Sequence, residues 1–209
     1  PYRRQRQMCI RDRYYTALEK LNCPSSLEGR VTLEHYSAAK EPFVPMINIP
    51  SGKPSVHIAV ESDAYMVAVD TLGRLKWDSA QIDGQPLICI VSEQASEEYL
   101  ETLRTQGISW ICIGSDRIDL PNAMEILREK FGVERLAVLG GGHINGGFLE
   151  AGLLDEISLL LAPGIDGRKG RTALFDGIEN EDRQPSALHL NSVEKFDNGT
   201  LWLRYEVVK

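Results

Sequence analysis

Short apolar runs alternate with amphipathic segments through the middle of the chain. The apolar runs, typical of buried strands, lie at Leu87–Val91, Trp110–Ile113 and Leu136–Leu139. The segments with helical periodicity follow them at Ser96–Gln106, Pro121–Phe131 and Ile144–Ala151. Strands that are separated by helices of about ten residues predict βαβ units and a mostly parallel sheet.

The two ends of the chain add elements of a different kind. Near the start, a short helix is predicted at Tyr14–Leu21 and strands at Val56–Val60 and Tyr65–Val69. Near the end, strands are predicted at Glu156–Ala162, Leu188–Lys195 and Thr200–Val208. The last two flank Asn198-Gly199, a strong hairpin signal. The sequence therefore predicts one α/β domain in which a C-terminal antiparallel hairpin closes a largely parallel sheet.

Composition and charge narrow the classes of function. The chain has 209 residues, of which 43% are hydrophobic and 25% charged, as in an ordinary globular domain. No apolar run approaches the roughly 20 residues that span a bilayer, and the net charge of −7 argues against nucleic acid as a partner. The four cysteines form no CxxC pair, which disfavours a metal site or a disulfide framework. We therefore expect a cytoplasmic protein without a bound metal.

Residues 1–13 differ from the rest of the chain. They hold five of the 23 basic residues but only one of the 30 acidic ones. An isolated basic arm of this kind can bind RNA or a membrane surface. The interpretation we favour is a non-native leader, with the folded domain at 14–209.

The glycine run Gly140-Gly141-Gly142, followed by His143-Ile144-Asn145, stands between a predicted strand and a predicted helix. A helix N-terminus offers free N–H groups and the positive end of a dipole, and glycines let a diphosphate approach the backbone closely. Because Asn145 replaces the third glycine of the Rossmann fingerprint, a Rossmann dinucleotide fold is disfavoured. The alternative is a tight strand–helix turn that binds nothing.

A second junction of this kind precedes it in the sequence. Gly29-Arg30-Val31-Thr32-Leu33-Glu34 places a glycine, a cation and a hydroxyl at the start of another predicted helix, and an arginine fork suits a phosphate. Taken alone, the hexapeptide also fits a capped surface helix with an exposed arginine. The combination of the early Gly-Arg-x-Thr and the late Gly-Gly-Gly is more specific than either part.

This combination resembles the dihydrofolate-reductase-like superfamily, and within it the reductase domain of riboflavin biosynthesis, the RibD C-terminal family. The resemblance covers about residues 14–209 and depends on the order of its matching stretches. These are Gly-Arg-Val-Thr-Leu-Glu (29–34), Val-Asp-Thr-Leu-Gly-Arg-Leu (69–75), Ile-Asp-Leu-Pro-Asn-Ala-Met-Glu-Ile-Leu (118–127), Gly-Gly-Gly-His-Ile-Asn-Gly-Gly-Phe-Leu (140–149), Gly-Leu-Leu-Asp-Glu-Ile-Ser-Leu (152–159) and Ala-Pro-Gly-Ile-Asp-Gly (162–167).

The resemblance implies a three-layer α/β/α fold and an NADPH-dependent reductase. The implied reaction is that of 5-amino-6-(5-phosphoribosylamino)uracil reductase, with a related reductase of unassigned substrate or a nucleotide-binding protein without turnover as alternatives. The implied cofactor-binding residues are Gly29, Arg30, Thr32, Asp70, Ser92, Gly114, Gly140, Gly141, Gly142, His143, Ile144 and Asn145. Glu34 and Leu139 are the substrate-side candidates, and the resemblance also suggests a homodimer that forms through the late strands.

The chain departs from the family pattern at two points. Relatives begin with a strand that ends in a Ser-x-Asp-Gly segment, and nothing in residues 1–13 matches it, so the domain is expected to lack its first strand. Many relatives also place a glutamate directly before the glycine run, where this chain has Leu139. No catalytic residue is assigned. The basic loop at 166–171 is either a solvated turn or a segment that approaches a substrate phosphate.

Overall fold

The computed structural model describes residues 2–165, 167, 169–170 and 173–209, with only the backbone of 2–11. Helix α1 spans Tyr2–Leu21 and thus extends the predicted helix at 14–21 through most of the presumed leader. The strands of the central sheet are β1 (Ser25–Gly29), β2 (Ser55–His57), β3 (Met66–Val69), β4 (Gln81–Ile82), β5 (Gln85–Val91), β6 (Ser109–Cys112) and β7 (Leu136–Gly140). Six of them lie side by side in the order β2-β6-β5-β3-β1-β7, and β4 pairs with β5.

The central sheet is mostly parallel, as the alternation of strands and helices predicts. Strands β1, β3, β5, β6 and β7 run parallel to one another, whereas β2 pairs with β6, and β4 with β5, in the antiparallel direction. The remaining helices are α2 (Arg30–Tyr36), α3 (Glu97–Gln106), α4 (Leu120–Phe131) and α5 (Gly142–Glu150). The predicted strand at Val56–Val60 is observed as the shorter β2.

Helices cover both faces of this sheet, which confirms the three-layer α/β/α architecture. Alternating residues along each strand enter two separate cores, because successive side chains of a strand point to opposite faces. One core holds Leu33 of α2 and Leu103 of α3 together with Cys89. The other holds Leu127 of α4 and Phe148 of α5, packed with residues such as Ile88 and Ile90.

The C-terminal hairpin forms as predicted, but in a separate sheet. Strands β9 (Leu188–Lys195) and β10 (Leu201–Val207) pair antiparallel, and β10 also pairs with β8 (Glu156–Leu161) in the order β8-β10-β9. The expectation that the hairpin closes the parallel sheet is therefore wrong for the described strands. Helix α1 packs on this second sheet through Ala17, which joins Phe196 and Trp202 in a small core.

Strand β1 is a core element that the sequence did not predict. It lies between β3 and β7 in the interior of the sheet, and Leu27 is fully buried. Its residues Ser26-Leu27-Glu28-Gly29 follow the pattern Ser-x-acid-Gly, with glutamate in place of aspartate. This strand therefore carries a pattern of the kind that was sought in residues 1–13.

Candidate active site

The carboxyl ends of five parallel strands form one edge of the sheet, and this edge has a topological switch point. The parallel strands β3, β5 and β6 lie on one side of β1 in the sheet, whereas β7, which follows them in the chain, lies on the other side of β1. Helix α2 follows β1 onto one face, whereas α5 follows β7 onto the opposite face. In open α/β sheets, a crevice outside such a point is the usual ligand site. Both glycine-rich junctions of the sequence lie there.

The turn from β7 to α5 requires glycine at Gly140, and there is open space where a side chain would stand on Gly141. Gly140 has φ +97°, a left-handed conformation that side chains rarely adopt, and its peptide bond to Gly141 is cis. A Cβ on Gly141 would meet no atom within 4 Å, and this residue, the N-cap of α5, makes no side-chain cap. The first-turn amides of α5 thus begin beside open space, an arrangement that suits a diphosphate.

Other glycines of α5 serve packing instead. A Cβ on Gly142 would lie 2.5 Å from the carbonyl oxygen of Ala173, and one on Gly146 would lie 1.9 Å from that of Asp176. The backbone N–H of Asp176 also donates to the carbonyl of Gly142 at 3.0 Å. The 173–177 segment therefore packs along one side of α5, so the absence of side chains at these two positions has a structural cause.

His143 and Asn145, two polar residues in the first turns of α5, have different environments. The His143 side chain is 81% exposed, with Nδ1 3.7 Å from the Asp176 carboxylate. Asn145 donates from Nδ2 to the carbonyl of Leu174 at 2.8 Å. Asn145 therefore anchors the 173–177 segment, whereas His143 lies at the surface of the junction.

The β1–α2 junction contacts the β7–α5 junction directly. A Cβ on Gly29 would lie 2.5 Å from Cγ1 of Ile144, so glycine is needed there for α5 to approach. Arg30 forms an ion pair with Glu34 one turn along α2, and both side chains are 38% exposed. Gly29 is the N-cap of α2, and Thr32 is the third residue of the helix.

Asp70 is buried directly after β3, where it fixes a turn. Its Oδ2 accepts hydrogen bonds from the backbone N–H of Arg74 at 2.5 Å and of Leu75 at 2.6 Å. Burial raises the pKa of Asp70, although these two hydrogen bonds and the charge of Arg30 oppose the shift. Asp70 is buried, with 1% of the residue exposed, so its role is to shape the loop beside α2.

Ser92 and Gly114 shape the loops after β5 and β6. The Ser92 hydroxyl is buried and donates to the carbonyl of Thr71 at 2.8 Å, which ties together the loops that follow β3 and β5. Gly114 has φ +93°, and a Cβ there would lie 2.0 Å from the carbonyl oxygen of Arg117. Both positions therefore have a structural reason for their residue type.

Leu139 and Glu34, the two substrate-side candidates, lie at different cavities. Leu139 lines a cavity of about 690 Å³ that is bounded by β7, α4, α1 and the antiparallel sheet. Glu34 lines a smaller cleft beside α2. The structure therefore does not bring these two side chains into one pocket. In the basic loop at 166–171, Asp166, Arg168 and Arg171 lie outside the described residues.

Glu28 is a titratable group at this edge that the sequence analysis did not single out. It is half-buried on β1, and burial, with a smaller contribution from Asp83, raises its pKa. Its charge also adds to the effect of burial that raises the pKa of Tyr14 to about 12. The Ser-x-acid-Gly pattern at 26–29 is the sequence signal that could have identified this residue.

Within the described residues, no three His, Cys, Asp or Glu side chains are grouped closely enough to hold a metal ion. None of the described helices is both long and apolar enough to cross a membrane.

The family model of the RibD C-terminal domain matches residues 52–202 of this chain. A 2,5-diamino-6-ribosylamino-4(3H)-pyrimidinone 5′-phosphate reductase of Methanothermobacter thermautotrophicus is 33% identical over 145 residues, 69% of this chain and 66% of the relative. The protein of the same name from Aquifex aeolicus is 32% identical over 124 residues, 59% of this chain and 54% of the relative. The matches thus span just under two thirds and about half of these relatives.

Solved structures support the fold. A pyrimidine reductase-like protein from Corynebacterium diphtheriae superposes with a TM-score of 0.63 at 16% identity, over 90% of this chain and 77% of that one. A riboflavin biosynthesis reductase of Saccharomyces cerevisiae gives a TM-score of 0.58 at 15% identity, over 94% and 80% of the two chains. At these identities the likeness concerns the fold alone.

Proposed function

The chain belongs to the RibD C-terminal domain family, and on this premise we propose that it is an NADPH-dependent reductase. The substrate class is a ribosylaminopyrimidine 5′-phosphate, the class named in the relatives from Methanothermobacter and Aquifex. The observation that carries the proposal is the pair of glycine-started helices at the switch point, where the Gly141 turn is open and Gly29 lies against Ile144.

The residues at this point fit the phosphates of a nicotinamide nucleotide. No side chain caps the first-turn amides of α5, and the Cβ position of Gly141, its N-cap, is open. Arg30 supplies a cation at the neighbouring junction, where the Glu34 carboxylate holds its guanidinium. A diphosphate beside α5 would therefore meet both N–H donors and a positive charge.

The remaining candidate residues maintain the shape of this site. Asp70 and Ser92 fix the loops after β3 and β5 by hydrogen bonds to backbone groups. Gly142 and Asn145 hold the 173–177 segment against α5. When bound, NADPH supplies the hydride, and the protein positions the cofactor and the substrate relative to each other.

The proposal includes a homodimer. All eight residues of β9 are exposed, among them Leu188, Leu190 and Val193. Leu161 of β8 is also 53% exposed. An exposed strand with apolar side chains favours association with a second copy. Sedimentation equilibrium of the purified protein measures its mass, and a monomer at micromolar concentration would contradict the dimer. We also propose that the protein is cytoplasmic, which fractionation of the source cells tests.

The cofactor site is tested by the substitution Gly141→Ala. Gly141 has φ −69° and open space around its Cβ position, so alanine fits the protein but projects toward the proposed diphosphate. We expect the Kd for NADPH to rise about tenfold or more, which corresponds to about 1.4 kcal/mol, while the melting temperature stays close to that of the wild type.

Gly164→Ala is the matched control, because a Cβ at Gly164 also meets no atom within 4 Å. Isothermal titration calorimetry measures the NADPH affinity of both variants. An unchanged affinity in Gly141→Ala would contradict the cofactor site. Oxidation of NADPH with the ribosylaminopyrimidine 5′-phosphate, followed at the nicotinamide absorbance, separates a reductase from a protein that binds the nucleotide without turnover.

A further inference from the structure

Three buried side chains beneath the turn that follows β3 carry polar atoms without a hydrogen-bond partner in the protein. In the described part of the chain, these atoms are Oδ1 of Asp70, Nε1 of Trp77 and the hydroxyl oxygen of Tyr99. Asp70 and Tyr99 are 1% exposed, and Trp77 is 3% exposed. Buried polar atoms of folded proteins are almost always hydrogen-bonded, because an unpaired one has lost its hydration without compensation. The three atoms therefore call for a partner.

The thiol of Cys89 marks the place that the three side chains share. Cys89, Trp77 and Tyr99 pack in one core, on the face of the sheet that α3 covers. Burial and the charge of Asp70 raise the pKa of the Cys89 thiol, whereas the polar groups of Tyr99 and Trp77 act on it from close range and oppose the rise. Trp77 and Asp70 also influence the pKa of Tyr99. Since a thiol is only a weak hydrogen-bond partner, Cys89 does not satisfy these neighbours.

The hydrogen-bonding capacities of the three atoms are complementary to those of water. The indole N–H of Trp77 can only donate, the carboxylate oxygen of Asp70 accepts, and the hydroxyl of Tyr99 can do both. A water molecule can accept from Trp77, donate to Asp70 and form its third hydrogen bond with Tyr99. Buried waters in proteins typically make about three hydrogen bonds to polar groups that otherwise lack partners.

We propose that Asp70, Trp77 and Tyr99 together bind one internal water molecule. The water links the residue that ends β3, the segment that follows the turn, and helix α3. The same turn already packs on α3, because a Cβ on Gly73 would lie 2.4 Å from Cδ1 of Tyr99. The water site thus adds a polar link to an otherwise apolar contact, and it holds the loop beside α2 against α3. This inference goes beyond the proposed function and does not depend on it.

A crystal structure of the wild type at high resolution tests the site directly. We expect one density peak for water within about 3.2 Å of Oδ1 of Asp70, Nε1 of Trp77 and the hydroxyl oxygen of Tyr99. The absence of this peak, or a direct hydrogen bond between two of the three side chains in its place, would overturn the proposal.

The contribution of the water to stability is tested with Tyr99→Phe, for which Tyr65→Phe is the matched control. Tyr65 is also buried, at 2% exposure, but its hydroxyl is bonded within the protein. It accepts from the N–H of Ser62 at 2.8 Å and donates to the carbonyl of Val60 at 3.3 Å. Each substitution removes one buried oxygen and keeps the aromatic ring, so both variants should fold.

Urea denaturation of the two variants and the wild type gives the readout. If the hydroxyl of Tyr99 had no partner, its removal would leave the stability unchanged or raise it, because an unpaired buried group is unfavourable. A hydroxyl that is bonded to an internal water is lost at a cost. We therefore expect Tyr99→Phe to raise the equilibrium constant of unfolding about fivefold, as Tyr65→Phe should. A Tyr99→Phe protein at least as stable as the wild type would contradict the water site.

Discussion

Helices α3 and α4 begin with side chains that cap them, whereas α2 and α5 begin with glycines. Ser96 Oγ accepts from the N–H of Tyr99 at 3.1 Å, and Asp119 Oδ1 accepts from the N–H of Asn122 at 3.2 Å. Neither Gly29 nor Gly141 makes a side-chain cap. The first turns of α3 and α4 are thus capped by side chains of the protein, while no side chain caps the glycine-started pair at the switch point, as the proposed cofactor site requires.

Helices α3 and α4 also differ from α5 in where their glycines lie. In α3 and α4, glycines occur at the C-terminal ends, where Gly107 and Gly132 adopt the left-handed conformation that ends a helix. In α5, glycines occur inside the helix, where they lower helix propensity. Gly146 is tolerated there because the 173–177 segment fills the space of its side chain. Glycines therefore end α3 and α4, whereas Gly146 inside α5 allows another segment of the chain to pack against the helix.

The largest effect is expected for Gly146→Ala. The new methyl would lie 1.9 Å from the carbonyl oxygen of Asp176, so either α5 or the 173–177 segment must move. We expect a loss of about 1–3 kcal/mol in the free energy of unfolding, as for other overpacked sites. Urea denaturation followed by circular dichroism measures this loss.

The adjacent substitution Gly147→Ala is its control. A Cβ at Gly147 would make an ordinary contact of 3.6 Å with Leu120, and alanine favours a helix over glycine by about 1 kcal/mol. This variant should be more stable than the wild type. If both variants gained stability, the packing role of Gly146 would be refuted.

A smaller effect is expected at the capped helices. Ser96→Ala and Asp119→Ala each remove an N-cap, which costs about 0.5–2 kcal/mol in the free energy of unfolding. Neither side chain lies at the junction of α2 and α5, so the Kd for NADPH should stay unchanged in the folded variants. Thermal denaturation and calorimetry on the same samples give the two quantities. A rise in Kd as large as that of Gly141→Ala would remove the distinction between capped and glycine-started helices.

Local patterns predicted the elements that have strong local signals. The helical segment predicted from Ser96 begins there, with Ser96 as the N-cap of α3, and the Asn198-Gly199 hairpin was placed correctly, because capping and tight turns depend on a few adjacent residues. Strand β1 was missed because Ser25–Gly29 is short and contains a glutamate. Only its position between β3 and β7 makes it a core strand.

The site was only partly accessible to the same reasoning. Both glycine junctions were identified, and Gly29, Gly140, Gly141 and Gly142 were assigned to phosphate binding. The Cβ positions add that Gly142, like Gly146 further along α5, accommodates the 173–177 segment, about 30 residues further along the chain. The cleft that Lys40 and Arg74 line was missed since these residues are far apart in the sequence and meet through the contacts between segments 39–43 and 74–76.

The amino-acid sequence alone determined the alternation of strands and helices, the parallel sheet and the family resemblance, because these depend on periodicity and on short motifs in a fixed order. The tertiary structure decided which glycines are open and which are packed, and that Arg30 pairs with Glu34. It also decided that three separated cations share a cleft. Such properties depend on contacts between distant segments, and these contacts exist only once the chain has folded.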